Sequence, residues 1–143
     1  MPENMIVCGK HHLSWSAGSP LVMGIVNVTP DSFSGDGLDR HADAAFNQAV
    51  TMMADGADLV DIGAESTRPG AVMVSADEEL CRLAPLLERL VAAGIPVSVD
   101  TYKSTVMAEA IRLGAGLMND ISALGDDGSA EVLAQHAAVS VCL

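Results

Sequence analysis

Two short polar segments of this sequence carry side chains that could bind a ligand. "NVTPDSF", residues 27–33, follows the apolar run "LVMGIV", and "ESTRPG", residues 65–70, follows the run "ADLVDIG". A polar group that is dehydrated without a partner costs free energy, so these segments are expected to face water or a ligand. Taken alone, "TPDS" and "STRPG" are also typical of ordinary turns.

Carboxylate and amide side chains stand at the ends of several apolar runs. Asp61, Asp100 and Asn119 occupy such positions, as Asn27 does. Two carboxylates and an amide at the mouth of one pocket could bind a flat heterocycle with several N–H donors. The alternative is that these carboxylates only accept hydrogen bonds from amides of their own loops.

Arg68 is one of only seven basic residues in a chain with a formal charge of −12. A guanidinium among hydroxyl groups can bind a phosphate or carboxylate by two hydrogen bonds. The alternative is a surface arginine in a loop shaped by Pro69 and Gly70. The acidic charge disfavours nucleic acids and anionic membranes as partners. An anionic ligand would therefore need local attraction from a metal ion, an arginine or helix N-termini.

The segments that must position these side chains alternate between strands and helices. Residues 1–20 predict a hairpin with a Gly-Lys-His turn and a lead-in, and residues 21–143 predict β/α units. Predicted strands cover residues 21–28, 57–63, 96–100, 116–120 and 139–143. Helical spacing of apolar residues covers 42–53, 80–90 and 106–111. Ser75 and Glu78 predict a capping box, Pro85 predicts a kink, and "DGA", "AAG" and "LGA" predict helix ends.

Such repeated units predict an α/β fold with a parallel sheet, which is either open or closed into a barrel. Half of the residues are apolar and only 3% are aromatic, as expected for parallel strands covered by helices. Polar residues at the ends of consecutive strands favour a (β/α)8 barrel of the TIM type, in which those ends form one face. An open sheet would concentrate them at one switch point.

The cysteines and the hydropathy bear on the environment of the chain. Cys8, Cys81 and Cys142 are odd in number and far apart, which predicts reduced thiols. No apolar run approaches the roughly 20 residues of a membrane span, and the N-terminus has no apolar stretch typical of a signal peptide. We expect a cytoplasmic protein that binds no membrane.

Four motifs, in order, resemble the dihydropteroate synthase family: "MGIVNVTPDSFSGDG", "DIGAESTRPGA", "VSVDT" and "MNDIS". The resemblance implies a (β/α)8 barrel that condenses a pterin methyl diphosphate with 4-aminobenzoate and releases diphosphate. It also implies Mg²⁺ as cofactor and sulfonamides as competitors at the aminobenzoate site. These implications come from the family and not from the spacing of residues.

The family's functional residues map onto named positions of this sequence. The resemblance implies that Asn27 binds Mg²⁺ and diphosphate, that Asp100 and Asn119 are catalytic and contact the pterin, and that Asp61 matches the aspartate of the second barrel strand. The loops that close over aminobenzoate correspond to Thr29 through Gly37 and Ser66 through Gly70. Their implied substrate contacts are Thr29, Pro30, Asp31, Ser32, Phe33, Ser66, Thr67, Arg68 and Pro69.

The chain departs from the family pattern in two places and in length. "SFSGDG" stands for the usual "SFSDGG", and "DIGAES" stands for "DIGGES". Family chains are roughly twice as long, so we expect about the first five of eight strands here, with little activity alone. A homo-oligomer or a separate C-terminal half is the expected partner. Two alternatives stay open: the pterin-binding domain of a folate-dependent methyltransferase, which "TPDSF" and "STRPG" disfavour, and a non-catalytic binding or association fragment.

Overall fold

The computed structural model of the chain describes residues 4–28, 37–66 and 68–143. It contains an antiparallel hairpin and then strands that alternate with helices. In chain order these are β1 Asn4–Cys8, β2 His11–Trp15, β3 Met23–Asn27, α1 Gly37–Ala54, β4 Leu59–Gly63, α2 Ala76–Ala92, β5 Val97–Asp100, α3 Ser104–Arg112, β6 Leu117–Asn119, α4 Ser129–Ala134 and β7 Ser140–Cys142.

The main sheet has five parallel strands in the order of the chain, from β3 to β7. A doubly wound sheet reverses its strand order at a switch point, whereas a barrel adds each new strand beside the last. The predicted α/β fold, part of a (β/α)8 barrel with an N-terminal hairpin, is therefore confirmed. Each of these five strands is one to three residues shorter than its predicted range.

The side of the sheet that faces the helices is apolar because alternate strand residues point to opposite faces. Its middle row consists of Val26, Ile62, Val99 and Met118, all fully buried. These side chains pack with alanines of α1, leucines of α2 and Val106 of α3. Polar residues such as Asp61 and Ser98 belong to the opposite face, so the pleat of the strands separates core from site.

Helices α1 to α3 cover the three predicted ranges, α1 begins earlier than predicted, and α4 lies outside those ranges. The predicted end signals of the helices are present with one exception. Ser75 caps α2 by accepting a hydrogen bond from the Glu78 backbone N–H, but the Glu78 carboxylate pairs with Arg82 and does not bond back to the Ser75 backbone. Only half of the predicted capping box is therefore present. Pro85 lies inside α2 without ending it. Gly56, Gly94 and Gly114 have positive φ at the predicted helix ends.

The hairpin closes the sheet at the N-terminal ends of its strands. Cys8 forms a small buried cluster with Leu59 and Leu117, and Ser140 Oγ donates a 2.6 Å hydrogen bond to the Val7 carbonyl. A Cβ atom at Gly116 would lie 2.2 Å from backbone atoms of Cys8 and Gly9, so only glycine permits this approach. The hairpin leaves the carboxyl ends of the strands as the accessible rim.

The outer strands β3 and β7 pair on one side only within the part of the chain that the structure describes. Apolar side chains are exposed on both strands: Ile25 of β3 is 57% exposed and Val141 of β7 is 38% exposed. Unpaired strand edges with apolar side chains favour pairing with further strands. Among the described residues no helix is both long and apolar enough to cross a membrane. All three cysteines are free, as predicted.

Candidate functional site at the carboxyl ends of the strands

Three of the predicted site residues lie in one row across the rim of the sheet. Asn27 of β3 pairs with Gly63 of β4, Gly63 pairs with Asp100 of β5, and Asp100 pairs with Asn119 of β6. A Cβ atom at Gly63 would lie 3.4 Å from the Asp100 Cβ, so the glycine leaves room beside this carboxylate. Because adjacent strands are about 4.8 Å apart, Asn27 is roughly 10 Å from Asp100.

Asp61 is on the same face but one layer deeper than the rim. It lies two residues before Gly63, opposite Ser98 of β5, and is only 3% exposed. Its Oδ1 accepts a 2.7 Å hydrogen bond from Ser98 Oγ, and its Oδ2 accepts a 3.4 Å bond from Asn119 Nδ2. The expectation that Asp61 stands at the end of its strand is therefore wrong. Asp61 lies two residues before the end of β4, one row of side chains below the rim. From this depth its carboxylate contacts the Asn119 amide.

Asp100 is a half-buried neighbour of this network and has an unusual electrostatic environment. Burial, together with the smaller effects of the negative charges of Asp61, Glu79 and Asp120, raises its pKa to about 6. Burial also raises the pKa of Asp61, while its bonds with Ser98 and Asn119 oppose the shift. The Asp100 carboxylate has no hydrogen-bond partner among the described residues, so it can bind a ligand that brings N–H donors.

The raised pKa of Asp100 predicts a specific dependence of stability on pH. The folded pKa of about 6 lies above the ordinary 3.8, so the folded chain holds this proton more tightly than the unfolded chain does. The free energy of unfolding therefore falls as pH rises from about 4 to 6, and the loss is complete above pH 6. A salt-bridged aspartate has the opposite pH dependence, because its folded pKa is lowered and the free energy of unfolding then rises with pH.

Thermal unfolding of the chain and of Asp100→Asn, compared at pH 4 and at pH 7.5, measures this dependence. We expect the two proteins to have similar Tm values at pH 4, where Asp100 is largely protonated when folded. At pH 7.5 the Asn variant should have the higher Tm because it lacks the unfavourable charge. A Tm difference that is the same at both pH values would contradict the assignment.

The second polar loop lies beside this row and is anchored by a tight turn. The Ala71 N–H donates to the Arg68 carbonyl and Gly70 has a φ of +82°, as in a type II turn with Pro69 at its second position. The Ser66 hydroxyl accepts a 3.3 Å bond from the Arg68 N–H. The turn interpretation of "STRPG" is thus correct for the backbone and leaves the Arg68 side chain available.

Two cavities meet at Ser66. A cavity of about 220 Å³ is lined by Ser66, Asp100, Thr101 and Tyr102 together with two glutamates and Ile121. A neighbouring groove of about 510 Å³ contains Ser66, Arg68 and Pro69 and runs to α2. The structure thus brings Asp100 and Ser66 to one cavity and places Arg68 and Pro69 in the adjoining groove. Thr29, Pro30, Asp31, Ser32, Phe33 and Thr67 lie outside the described residues.

Four residues that contribute to this site were not predicted from the sequence: Ser98, Lys103, Glu65 and Glu79. Lys103 Nζ contacts carboxylate oxygens of Glu65 and Glu79, and Glu79 is buried. The helical spacing could have indicated that Glu79 is buried, because it lies four residues before Leu83 on the buried side of α2. Ser98 is a polar residue two positions before Asp100, so the period of a strand places both on one face.

The rim offers few side chains that could bind a divalent cation. Among residues 4–28, 37–66 and 68–143, no three His, Cys, Asp or Glu side chains are grouped to hold a metal ion. Asn27 is exposed and its amide has no hydrogen-bond partner among the described residues. One amide oxygen suits Mg²⁺, which keeps several waters and binds substrate phosphates. Among the described residues, Asn27 would thus supply one oxygen ligand to a Mg²⁺ ion whose other ligands are waters and substrate phosphates.

The sequence of this chain is similar to those of known proteins. The family model for pterin binding enzymes matches residues 23–143. The dihydropteroate synthase of Neisseria meningitidis serogroup C is 43% identical over 138 residues, which cover 90% of this chain and 49% of that protein. The chain spans about half the length of the curated relatives it matches.

Solved structures show the same likeness. The dihydropteroate synthase of Xanthomonas albilineans with 4-aminobenzoic acid has a TM-score of 0.86 and 46% identity, over 96% of this chain and 50% of that one. The Yersinia pestis dihydropteroate synthase with a sulfonamide drug has a TM-score of 0.83 and 43% identity, over 98% and 50%. The similarity therefore covers the whole described sheet.

Proposed function

Because this chain belongs to the pterin binding enzyme family, whose model matches residues 23–143, we propose that it supplies the N-terminal half of a dihydropteroate synthase site. The reaction joins the amino nitrogen of 4-aminobenzoate to the methylene carbon of a dihydropterin methyl diphosphate. The C–O bond to diphosphate breaks, and the amine loses a proton. The observation that carries the proposal is the row of Asp100 and Asn119 over Asp61, on a rim beside the second loop.

The carboxylate of Asp100 has two tasks in this proposal. It accepts hydrogen bonds from N–H groups of the pterin ring, because the described chain offers it no donor of its own. As diphosphate departs, positive charge develops on the pterin methylene, and a nearby carboxylate favours that charge in a site shielded from water. A pKa of about 6 keeps most Asp100 ionised at neutral pH before any ligand binds.

Asn119 and Asp61 work as a unit. Asn119 Nδ2 donates to Asp61 Oδ2, and Ser98 Oγ donates to Asp61 Oδ1. The bond to Asp61 uses one N–H of the Asn119 amide, so its carbonyl oxygen and its second N–H remain for a ligand. The pair thus offers the pterin both a donor and an acceptor, while Asp100 offers acceptors only.

We assign the other two ligand groups, 4-aminobenzoate and diphosphate, to the β3 and β4 side of Asp100 and Asn119. We assign 4-aminobenzoate to the loop with Ser66, Thr67, Arg68 and Pro69, since the Arg68 guanidinium suits its carboxylate. A sulfonamide would compete at the same loop, in keeping with the drug complex of the Y. pestis relative. Asn27 would hold Mg²⁺, which when bound would supply positive charge to offset that of the diphosphate. The segment Thr29 to Phe33 completes this assignment from the family pattern.

A ligand-bound crystal structure tests this proposal. The chain would be paired with the C-terminal half of a relative, such as the X. albilineans synthase, and crystallised with a pterin and 4-aminobenzoate. We expect ring N–H groups of the pterin on Asp100 and the Asn119 amide beside them, with aminobenzoate against Ser66 to Pro69. A pterin seated instead at the opposite end, in the cavity of about 470 Å³ beside the hairpin turn, would contradict it.

A further inference from the structure

The ammonium group of Lys103 joins two parts of the chain that are distant in sequence. Lys103 follows β5, and its Nζ lies 2.5 Å from Glu65 Oε2, just after β4, and 2.7 Å from Glu79 Oε2 in α2. The three side chains are 15%, 12% and 2% exposed. Ion pairs that are this well shielded are screened less by salt and water than surface pairs are. The contact is therefore a fixed feature of the rim.

Glu65 extends this contact to both ends of the second loop. Its Oε1 accepts a 3.4 Å hydrogen bond from the Val74 backbone N–H, nine residues later, and a 3.3 Å bond from the Tyr102 hydroxyl. The start of the loop is held separately, because Arg82 donates a 3.0 Å bond to the Ala64 carbonyl. The loop between Glu65 and Val74 is thus closed at its base around one carboxylate.

The balance of charge makes Lys103 indispensable to this arrangement. Burial alone would lower the pKa of Lys103, but hydrogen bonds with Glu65 and Glu79 and their negative charges outweigh burial and raise it above its ordinary value. The ammonium therefore stays charged over the whole physiological pH range. Without it, two shielded carboxylates would face each other with no cation, and Glu65 would be released towards water.

We propose that Lys103 is a positioning residue, which holds the segment from Glu65 to Val74 against the rim so that Ser66 and Arg68 are presented to the ligand. The loop's exposed Val72 and Met73 have little contact of their own to fix it, being 86% and 79% exposed. The link to aminobenzoate rests on the proposed function, whereas the hold on the segment does not. Lys103 touches no reacting atom in this scheme.

Hydrogen exchange of the chain itself tests the hold without any ligand. In Lys103→Met, we expect backbone amides of residues 65–74 to exchange at least about tenfold faster, with β4 and β5 unchanged. Lys103→Arg keeps the charge and should restore most of the protection. Arg112→Met is the matched control, since it removes an exposed cation paired with Glu109 on the neighbouring α3 and should leave residues 65–74 unchanged.

A double variant separates positioning from simple destabilisation. Lys103→Met with Glu79→Gln removes the stranded buried charge and should fold even if Lys103→Met alone does not. Glu65 still lacks its cation there, so residues 65–74 should stay as exposed to exchange as in the single variant. Protection restored by Glu79→Gln, or faster exchange spread over the whole sheet, would overturn the proposal.

Steady-state kinetics of the chain paired with a C-terminal half give the second readout. Relative to Glu79→Gln alone, the double variant is expected to raise the KM for 4-aminobenzoate by about tenfold, with kcat and the KM for the pterin diphosphate changed less than about threefold. An unchanged KM for aminobenzoate despite a loosened loop would overturn the positioning role. A wild-type pair without turnover would refute the proposed function, while the exchange experiment would still decide whether Lys103 holds the loop.

Discussion

Asp100→Asn is expected to lower pterin affinity or turnover by roughly ten- to a hundredfold, because a charge-assisted hydrogen bond is worth about 1.5 to 3 kcal/mol. The substitution keeps the shape of the side chain and removes its charge. The remaining amide can accept one hydrogen bond from the pterin but cannot favour positive charge on the methylene. Both effects are measured in the chain paired with a C-terminal half. Calorimetry of pterin binding measures the loss of affinity, and the rate of dihydropteroate formation measures the loss of turnover.

Asp77→Asn is the matched control for this substitution. Asp77 is exposed in the first turn of α2, away from the strand ends, so the same chemical change there should leave binding and turnover nearly unchanged. Equal losses from the two substitutions would indicate general destabilisation and would contradict the role of Asp100.

The competing interpretation of Asp100, in which it only ties down its own loop, makes an opposite prediction. A loop-tying carboxylate loses hydrogen bonds on substitution, so the Tm would fall and pterin binding would be kept per folded molecule. The structure gives Asp100 no such bonds among the described residues and a pKa raised to about 6. We therefore expect Asp100→Asn to have an equal or higher Tm at neutral pH together with weaker pterin binding.

Strand periodicity predicted much of the rim. Asn27, Asp100 and Asn119 each end an apolar run, and the ends of parallel strands meet at one edge. Asp61 was predicted on the correct face but in the wrong layer, since β4 continues two residues beyond it to Gly63. Alternate residues share a face, so apolar runs fix the face of a side chain more firmly than its depth. The functional roles of these residues remain predictions.

The part of the site that was missed depends on contacts between distant segments. Lys103 lies 38 residues after Glu65 and 24 after Glu79, and no local pattern links the three. Glu79 occupies a core-facing position of α2, yet a glutamate is normally assigned to the solvent face. Only the packing of α2 against β4 and β5 brings its carboxylate to an ammonium. Tertiary pairing of buried charges is beyond what residue spacing can predict.

The five-strand sheet explains why turnover should require a second polypeptide segment. β3 and β7 each have an unpaired side among the described residues, and Ile25 and Val141 are exposed there. The relative from Neisseria meningitidis serogroup C is about twice as long as this chain. Positioning and electrostatic effects of groups in one site act together, so half a site gives far less than half the rate enhancement.

The most direct test of the central claim is mass-resolved detection of dihydropteroate from the pterin diphosphate, 4-aminobenzoate and Mg²⁺. The 143-residue chain would be assayed alone and after addition of the C-terminal half of a relative. We predict negligible product from the chain alone and clear product from the pair, which Asp100→Asn in this chain reduces. No product from a pair that assembles, or methyl transfer from a folate in its place, would contradict the claim that this chain forms half of a dihydropteroate synthase site.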